Sequence, residues 1–560
     1  MFKQIFLLSI ILLISFSNAN SLDYPFGNSQ SESEPSYLGC IVAKSNEKCE
    51  PSTPGVSECP SVSDCLLYLL DQKVSDVNVI MIPAGIYEGS ACPGLVPFFN
   101  LTGEVIFTSI YGVAIFNCGL NPFIQLSLHK ESSNPTITFN DLVLSGGSDQ
   151  SGGCILIESF IDEKDTSIYL NNVSIGLNGC IADNYGGLLY TNYANVVVNN
   201  SIITNSHASI GGVISAAESD IYLVNSKFYN NNATISHGGV VTAKNIYVSN
   251  SIFEDNIAQT GGVFYATGAV EISDSSFKNN NAAKIGSGGV VYTYGRVSVV
   301  NSIFEQNSAG SGGCIFGFNI NVVDSVFDSN QAYANYEQGL GGAINNYGEL
   351  AISNSSFTNN FASASGGAVF STFSNVTIVD SLFDQNNVMI SGGALFFENS
   401  ERGGYITIQN SSISFNQAPL YGGAICLKKD SSLPFNLDFS GSMFDSNTAS
   451  YAGGIYFSQP PNTFKGGIFV GSKSTESGSG TFLSSSLDSI NIANFTNINL
   501  PYYNVPIFDE EPFVYWKAYG VKGTCKNGYA TIDKNVLIVK EKDLHSLLYY
   551  YSFIVTINLS

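Results

Sequence analysis

The sequence is poor in the basic residues that nucleic-acid binding requires. Its 560 residues include 22 lysines and arginines, and only two of these are arginines, Arg296 and Arg402. With 45 acidic residues and four histidines, the formal net charge is −23. Because phosphate contacts need clustered Lys and Arg, the composition argues against a nucleic-acid partner. Since 44% of the chain is hydrophobic and only 12% is charged, it is not an intrinsically disordered protein.

Long apolar segments are also missing. The N-terminal apolar run, residues 5–16, is too short to span a bilayer, for which about 20 residues are needed. Lys3 precedes this run and small residues follow it at 17–19. We therefore predict a secretory signal peptide at residues 1–19, with a buried core helix as the alternative. The C-terminal residues 544–560 are apolar but interrupted, which leaves open whether they form a strand or part of a membrane anchor.

Six of the eleven cysteines lie in one N-terminal stretch. No Cys-x-x-Cys pair and no histidine occurs within it, so we predict no metal site there and no cofactor. In a secreted chain this density indicates local disulfides, with 15 possible pairings left open. Cys154 and Cys314 each follow a Gly-Gly pair and are interpreted as small core residues. The predicted disulfide cysteines are Cys40, Cys49, Cys59, Cys65, Cys92 and Cys118.

Asn-x-Ser/Thr sequences occur along the whole chain. They arise readily by chance in a sequence this rich in Asn and Ser, but they are compatible with a secreted glycoprotein. The predicted N-glycosylation sites are Asn100, Asn172, Asn199, Asn232, Asn354, Asn375, Asn410 and Asn494, and Asn558 also has the motif.

Two repeated motifs dominate the middle of the chain. Gly-Gly pairs begin at positions 152, 186, 211, 238, 261, 288, 312, 341, 366, 392, 422 and 453, so the mean period is about 27 residues. Before each of the last nine pairs, an apolar anchor residue is followed three residues later by Asn. The anchor is Phe in eight copies, from Phe228 to Phe444, and Ile413 in the other. Because the Gly-Gly pair and the anchor–Asn motif recur together in the same order, they indicate a repeat architecture.

The spacing within a repeat predicts short strands. The residues five and seven positions before each anchor are apolar in all nine copies, for example Ile352 and Leu350, and this alternation is typical of a strand with one buried face. The anchor lies an odd number of residues further on, so a bend must intervene, and Asn-Ser or Asp-Ser occupies it in most copies. Each repeat is expected to hold one strand, a corner, a short second strand that bears the anchor, an Asn turn, and a third strand that starts at Gly-Gly.

We predict an all-β, right-handed parallel β-helix with three short strands per coil and about 12 coils. Equivalent residues would stack about 4.8 Å apart, giving a Phe ladder inside and an Asn ladder at the turn. Asn suits the turn because its amide can donate to and accept from the copies above and below, and because it tolerates left-handed backbone.

These motifs resemble a known family. The paired GGA(I/V) and FxxN sequences are similar to the repeats of chlamydial polymorphic outer-membrane proteins and related eukaryotic secreted proteins. The resemblance covers about residues 140–456 and implies a right-handed β-helix of the pectin-lyase-like kind. Residues 80–87 resemble the I-x-I-P-x-G-x-Y entrance strand of many such proteins. After residue 465 too few residues remain for the autotransporter barrel of the bacterial proteins, so their export mechanism is not implied.

The chain is expected to comprise four regions. They are a signal peptide at 1–19, a Cys-rich region with an N-terminal cap at 20–118, β-helix repeats at 119–465, and a C-terminal β region of uncertain fold at 466–560. A cap is physically required because an open coil end exposes strand edges and apolar core.

One long loop is the candidate binding site. The interval from Asn330 to Gly341 is eleven residues, where most copies have five or six. Aromatic rings on a rigid scaffold can stack on sugars while hydroxyl and carboxylate groups orient them, although ordinary surface tyrosines are the alternative. Tyr292 and Tyr294 are interpreted as such surface residues. The candidate ligand-binding residues are Tyr333, Tyr336, Glu337 and Tyr347.

The function expected is that of a secreted or cell-surface scaffold that binds an extracellular glycan, the matrix or another surface protein. Asp-Asp, GHG and RxK, which polygalacturonase-like enzymes share, are absent from the chain, and we assign no catalytic residue. Because the fold also hosts polysaccharide lyases and hydrolases, such an enzyme remains an alternative, as does a structural spacer or receptor ectodomain.

Overall fold

The computed structural model describes residues 38–43, 48–72, 77–88, 92, 94–99, 102–119, 121–128, 133–159, 166–334, 338–372, 375–399, 404–429, 435–458, 463–470, 472–477 and six short strands after residue 480. All of them lie in the unit Tyr37–Ser560. The predicted signal peptide and the C-terminal tail from residue 557 lie outside the described residues.

Successive repeats stack as the coils of a parallel β-solenoid of about 13 turns. One coil shows the arrangement: a strand at Val241–Ser249 bends around its middle, a corner leads to Ile252–Glu254, and a turn leads to Ile257–Ala258. Each strand pairs in parallel with its equivalents in the coils before and after it. The parallel β-helix is confirmed, and its right-handed winding remains a prediction.

The strands that follow the Gly-Gly pairs are continuous in some coils and divided in others. The continuous ones are Ile214–Val224, Val241–Ser249, Val291–Val300, Ile315–Val323 and Ile344–Ser353. The divided ones are Ile155–Ser159 with Thr166–Asn171, Leu189–Asn192 with Ala194–Asn199, Phe264–Ala266 with Val270–Ser273, Val369–Thr372 with Asn375–Val379, Leu395–Asn399 with Gly404–Gln409, Ile425–Lys429 with Phe435–Asp445, and Ile455–Phe457 with Thr463–Val470.

The strands that carry the anchor residue come next in each coil. They are Ser174–Ile175, Ile202–Thr204, Lys227–Tyr229, Ile252–Glu254, Ser276–Lys278, Ile303–Glu305, Val326–Asp328, Ser356–Thr358, Leu382–Asp384 and Ser412–Ser414.

The predicted scheme lacked one further strand between the Asn turn and the Gly-Gly pair. It forms a sheet of its own because the turn redirects the chain, and two residues are too few to show a period in the sequence. Its copies are Ser148–Ser151, Ile181–Tyr185, His207–Ala208, Asn232–Ala233, Ile257–Ala258, Asn281–Ala282, Ser308–Ala309, Gln331–Ala332, Phe361–Ala362 and Asn387–Val388, with Thr448–Tyr451 and Lys473–Ser477 as a separate pair.

The interior of the solenoid contains the predicted phenylalanine ladder. Phe277, Phe304 and Phe327 are fully buried. Their ring centroids are 4.8 and 4.5 Å apart and the rings are nearly parallel, at 11° and 3°. The aliphatic residues five and seven positions before them are buried as well. The aliphatic residues alternate along one strand, and the bend before the anchor turns the phenylalanine to the same side. The anchors and the aliphatic residues therefore share one core.

The predicted corner and Asn ladder are confirmed, with one correction. At the corner, residues such as Asn250 have φ near +50° and are followed by a buried serine. At the second turn, the ladder asparagine was expected to tolerate left-handed backbone itself. The left-handed residue is instead the one before it, such as Asn279 at φ +52°. This residue turns the chain, so that the side chain of Asn280 points inward and is fully buried.

The N-terminal region contains a helix and further strands. The helix is Val62–Gln72, and the hydroxyl oxygen of Ser61 accepts a hydrogen bond from the backbone N–H of Asp64 at its start. The strands are Leu38–Val42, Glu50–Thr53, Val56–Cys59, Val77–Glu88, Gly94–Phe99, Thr102–Asn117, Ile124–Leu128, Ser133–Asn140 and Leu142–Ser145. Parallel stacking begins within this region, since Val77–Glu88 pairs with Thr102–Asn117.

The last described strands follow the solenoid coils. Among them, Lys522–Lys526 pairs antiparallel with Tyr529–Asp533. The strands are Thr481–Leu483, Phe495–Thr496, Asn499–Pro501, Lys522–Lys526, Tyr529–Asp533 and Ile554–Thr556.

Four disulfides are formed by cysteines of the first 180 residues. The six predicted cysteines pair among themselves, as Cys40–Cys65, Cys49–Cys59 and Cys92–Cys118, which confirms local stapling. Cys154 is buried in the core, as expected, but its disulfide was not predicted.

Cys154 is bonded to Cys180, 26 residues away. Their Cα atoms are 5.5 Å apart, because one circuit of the solenoid returns the chain to a neighbouring position. Cys314 is a free, buried cysteine, as expected, and so is Cys426.

Replacing Cys180 with alanine is expected to destabilise the oxidised protein. Opening a loop of 26 residues costs about 3–4 kcal/mol in the chain-entropy estimate. The measurement is the urea midpoint of the variant under non-reducing conditions. Cys314→Ala is the matched control because Cys314 is buried but unpaired. Equal midpoints for the two variants would contradict a stabilising role for the disulfide.

Candidate functional site

A column of aromatic rings runs along the outside of the solenoid, four residues after the first glycine of successive Gly-Gly pairs. Tyr265, Tyr292 and Phe316 occupy it in three consecutive coils. The preceding residue of each strand points into the core, so alternation turns these rings outward. Tyr265 and Tyr292 have ring centroids 5.4 Å apart, and Tyr292 and Phe316 are 4.8 Å apart. The ring of His237 stacks on Tyr265 at 4.1 Å.

A second column lies two residues further along the strands that start at Val291, Ile315 and Ile344. The ring centroids of Tyr294 and Phe318 are 5.9 Å apart, and those of Phe318 and Tyr347 are 5.4 Å apart. Tyr347 also contacts Phe316, at 5.3 Å between ring centroids. Together the two columns form one surface, the aromatic patch. It consists of Tyr265, Tyr292, Tyr294, Phe316, Phe318 and Tyr347.

The rings of the patch differ in what they present to solvent. Tyr265, Tyr292 and Phe316 are nearly parallel, at 7° and 11°, so neighbouring rings cover each other's faces and mainly their edges are accessible. Tyr294 stands at 88° to Tyr292 and is 60% exposed. Its hydroxyl accepts a hydrogen bond from Tyr292. Tyr294 is therefore the ring of the patch best placed to stack on a ligand.

An ion pair borders the aromatic patch. The guanidinium of Arg296 donates a hydrogen bond to the carboxylate of Glu271, at 2.6 Å, and both side chains are largely exposed. Arg296 lies in register with Phe318 of the next coil. Because exposed ion pairs contribute little to stability, the pair is better understood as a polar edge with donors and acceptors next to the rings.

Burial favours the neutral form of three tyrosines of the patch and of the neighbouring His237. Burial raises the pKa of Tyr292, and so do its hydrogen bond with Tyr294 and the neighbouring tyrosines. Burial likewise raises the pKa of Tyr265 and Tyr347. Burial lowers the pKa of His237, which favours the neutral imidazole. The patch thus offers aromatic surface and neutral hydroxyl groups.

The outward column continues beyond the patch but is covered there. Phe370 and Phe396 stack at 5.3 Å and are only 3% and 6% exposed. They belong to a small outer cluster against which Leu340 and Tyr421 pack. The accessible aromatic surface therefore ends at Tyr347.

Residues 354–372 match the Chlamydia polymorphic membrane protein repeat. In the structure this segment is one corner, the anchor Phe357, the ladder residue Asn360 and the Gly366-Gly367 pair that starts the next strand. No curated protein and no solved structure matches the chain. The match therefore covers less than one coil, and the matched segment includes the ladder residues Phe357 and Asn360.

The predicted binding site in the long loop is described only in part, and it remains a prediction. Tyr333 follows the strand Gln331–Ala332 and is 42% exposed, with the ammonium of Lys284 5.1 Å from its ring centre. Tyr347 belongs to the aromatic patch, in a different sheet. Tyr336 and Glu337 lie outside the described residues. Tyr333 and Tyr347 are thus positioned by different sheets.

Sequence reasoning missed most of the patch. Tyr292 and Tyr294 were interpreted as ordinary surface tyrosines, and Tyr265, Phe316 and Phe318 were not considered. A usable signal existed, because three consecutive repeats have an aromatic residue four positions after the first glycine. That signal predicts a stack once a parallel coil is assumed.

The described glycosylation motifs lie on the surface of the solenoid. Asn172, Asn354, Asn375 and Asn410 are exposed, and Asn199 and Asn232 are partly exposed. Asn100, Asn494 and Asn558 lie outside the residues whose side chains are described. Glycosylation itself remains a prediction.

Metal-ligating side chains come together at one place in the described part of the chain. This group is Cys40, Cys59 and Cys65. All three sulfur atoms are in disulfides, which leaves no thiolate to bind an ion. No described helix has the length and apolarity needed to span a membrane.

Proposed function

We propose that this chain is a secreted or surface-displayed scaffold that binds glycans through the aromatic patch. The observation that carries the proposal is the ring of Tyr294, turned across its stacked neighbours and 60% exposed, beside the Arg296–Glu271 pair. Sugar rings present C–H faces that pack on aromatic rings, and hydroxyl groups that bond to charged edges. The patch supplies both chemistries within a few neighbouring coils.

The rigid coil supports this role physically. Every strand of the patch is hydrogen-bonded to the coils on both sides, so its rings are held in place before a ligand arrives. Preorganised side chains lose little entropy on binding. Four disulfides favour an oxidising compartment, and the matched repeat is named for a membrane protein, which fits display at a surface.

The test is retention of the purified protein on a panel of immobilised polysaccharides. Tyr294→Ala is expected to weaken retention at least ten-fold, because a central aromatic anchor contributes about 1–2 kcal/mol or more. Arg296→Ala is expected to have a smaller effect, of about three- to ten-fold. Tyr405→Ala is the matched control, since Tyr405 is an equally exposed tyrosine, at 63%, outside the patch.

Two results would contradict this proposal. If Tyr294→Ala and Tyr405→Ala bind equally well, the patch is not the site, and binding of no glycan at all would favour a spacer. Release of reducing or unsaturated ends from any polysaccharide would instead favour an enzyme of the lyase or hydrolase type. Thermal melting of each variant shows whether a lost interaction reflects unfolding.

A further inference from the structure

A second surface is marked by a residue that departs from the repeat. The left-handed position before each ladder asparagine, and before Ser206 at the start of the ladder, is filled by a small or polar residue in every coil from 205 to 446 but one. The exception is Phe415, at φ +53°. A β-carbon is disfavoured in this conformation, and Asn or Asp tolerates it better than a bulky ring. The residues of this column are Asn205, Asn230, Asp255, Asn279, Gln306, Ser329, Asn359, Gln385, Phe415 and Ser446.

Packing does not account for the phenylalanine. Phe415 is 58% exposed, so its ring buries little apolar surface. The equivalent residue of the next coil is Ser446, whose hydroxyl donates to the carboxylate of Asp445 at 2.9 Å. An aromatic ring that is exposed and held in an unfavourable backbone conformation is the kind of feature that clusters at binding sites.

The ring borders a shallow cavity of about 430 Å³. Carboxamide side chains from two adjacent coils line the rest of it, namely Gln385, Asn386, Asn387 and Gln417. Asn386 is part of the buried ladder, whereas the other three side chains are exposed. The amide nitrogen of Gln385 donates to the carboxylate of Asp384 at 2.9 Å, which leaves its carbonyl oxygen to accept a hydrogen bond.

We propose that Phe415, Gln385, Asn387 and Gln417 form a binding site for a neutral pyranose ring. The phenyl ring supplies a face for the C–H groups of the sugar, and the carboxamides donate to and accept from its hydroxyl groups. The carboxylates of Asp384 and Asp445 lie beside the site, in a chain of net charge −23, so uronic or sulfated sugars are disfavoured. This site is separate from the aromatic patch and does not depend on it.

Restoring the repeat residue tests the proposal. Phe415→Asn is expected to raise the melting temperature by about 1–3 °C, because Asn suits left-handed backbone, and to weaken binding at least ten-fold. Binding is measured by titration of the full secreted protein with neutral oligosaccharides of glucose, mannose, galactose and N-acetylglucosamine. Phe415→Tyr is expected to retain binding, and Gln417→Ala to weaken it about three- to ten-fold.

Ser329→Asn is the matched control, since it introduces the same residue, Asn, at the equivalent left-handed position of an earlier coil. It is expected to leave the affinity unchanged. The proposal is overturned if the unaltered protein binds none of these sugars, or if Phe415→Asn binds them as tightly as the unaltered protein does. A Phe415-dependent interaction with peptides in place of sugars also overturns it. If Tyr294→Ala abolishes all sugar binding while Phe415→Asn has no effect, only the aromatic patch is supported.

Discussion

Asn280→Ala is expected to destabilise the solenoid by about 3–6 kcal/mol, whereas Asn281→Ala, one residue further on, is expected to cost less than about 0.5 kcal/mol. The two asparagines differ in burial, since Asn280 is fully buried and Asn281 is exposed. The amide nitrogen of Asn280 donates to the carbonyl of Phe253 at 2.9 Å and to the side-chain oxygen of Asn307 at 3.0 Å.

The side-chain oxygen of Asn280 also accepts two hydrogen bonds from the preceding coil. They come from the backbone N–H and the side-chain amide of Asn256, at 3.1 and 3.0 Å. Alanine would leave the backbone N–H of Asn256 and one N–H of its side-chain amide without their acceptor, while the other amide N–H keeps its bond to the Phe228 carbonyl. It would also remove the hydrogen bond to the Phe253 carbonyl. Each unsatisfied buried group costs about 1–3 kcal/mol.

Chemical denaturation of the two variants measures the difference. Hydrogen exchange should locate the loss of protection in the coils that contain Asn256 and Asn307, because coils of a solenoid interact with their neighbours. Equal destabilisation by Asn280→Ala and Asn281→Ala would contradict a buried amide ladder.

Gly289→Ala is expected to have a still larger effect, of more than about 4 kcal/mol, and to open the solenoid at that coil. A β-carbon on Gly289 would lie 2.0 Å from the carbonyl oxygen of Gly313 and 2.7 Å from that of Ser308. Both atoms belong to backbone of the next coil that is held by its own hydrogen bonds. Neither atom can move away without breaking the stacking of the coils.

Gly119→Ala is the control for this prediction. Gly119 has φ +65°, but nothing lies within 4 Å of an added β-carbon. Only the backbone cost of about 1–2 kcal/mol is therefore expected. Secretion yield and limited proteolysis of the two variants provide the measurement. If Gly289→Ala resists protease as well as Gly119→Ala does, the coils approach each other less closely at this position than the structure indicates.

The second position of the pair is glycine in every coil, whereas the first is alanine in one of them. In the last complete coil, Ala452 takes the place of the first glycine, with φ +59°, and Gly453 aligns with Gly423. The Gly-Gly pair that begins at 453 is consequently shifted by one residue relative to the others, which its sequence does not reveal.

The sequence was most informative about the interior, where every coil needs the same kind of residue at the same position. The aliphatic pair, the anchor and the ladder asparagine recur at constant offsets, and every copy meets its own equivalent in the next coil. Stacking distances between Phe277, Phe304 and Phe327 follow from strand spacing, so the ladder could be predicted without coordinates. The local pairing of six N-terminal cysteines was predictable for a similar reason, since they lie close together in the chain.

Other features depended on where the turns place the chain. Whether Asn279 or Asn280 takes the left-handed conformation follows from the direction in which the next side chain must point. The Cys154–Cys180 bond requires two positions a full circuit apart to meet. Tyr333 and Tyr347 are near in sequence, yet Tyr347 lies in the large sheet and Tyr333 follows a strand of the smaller one.

By itself, the sequence determined the class of fold, the inward ladders and the acidic, disulfide-stapled character of the chain, because these depend on composition and on regular spacing. Only the tertiary structure decided which outward residues become neighbours. Outward positions vary more than inward ones, so a partial period such as the aromatic residue four positions after the first glycine is informative only once the register of adjacent coils is known. The aromatic patch and the cavity beside Phe415 both arise from that register.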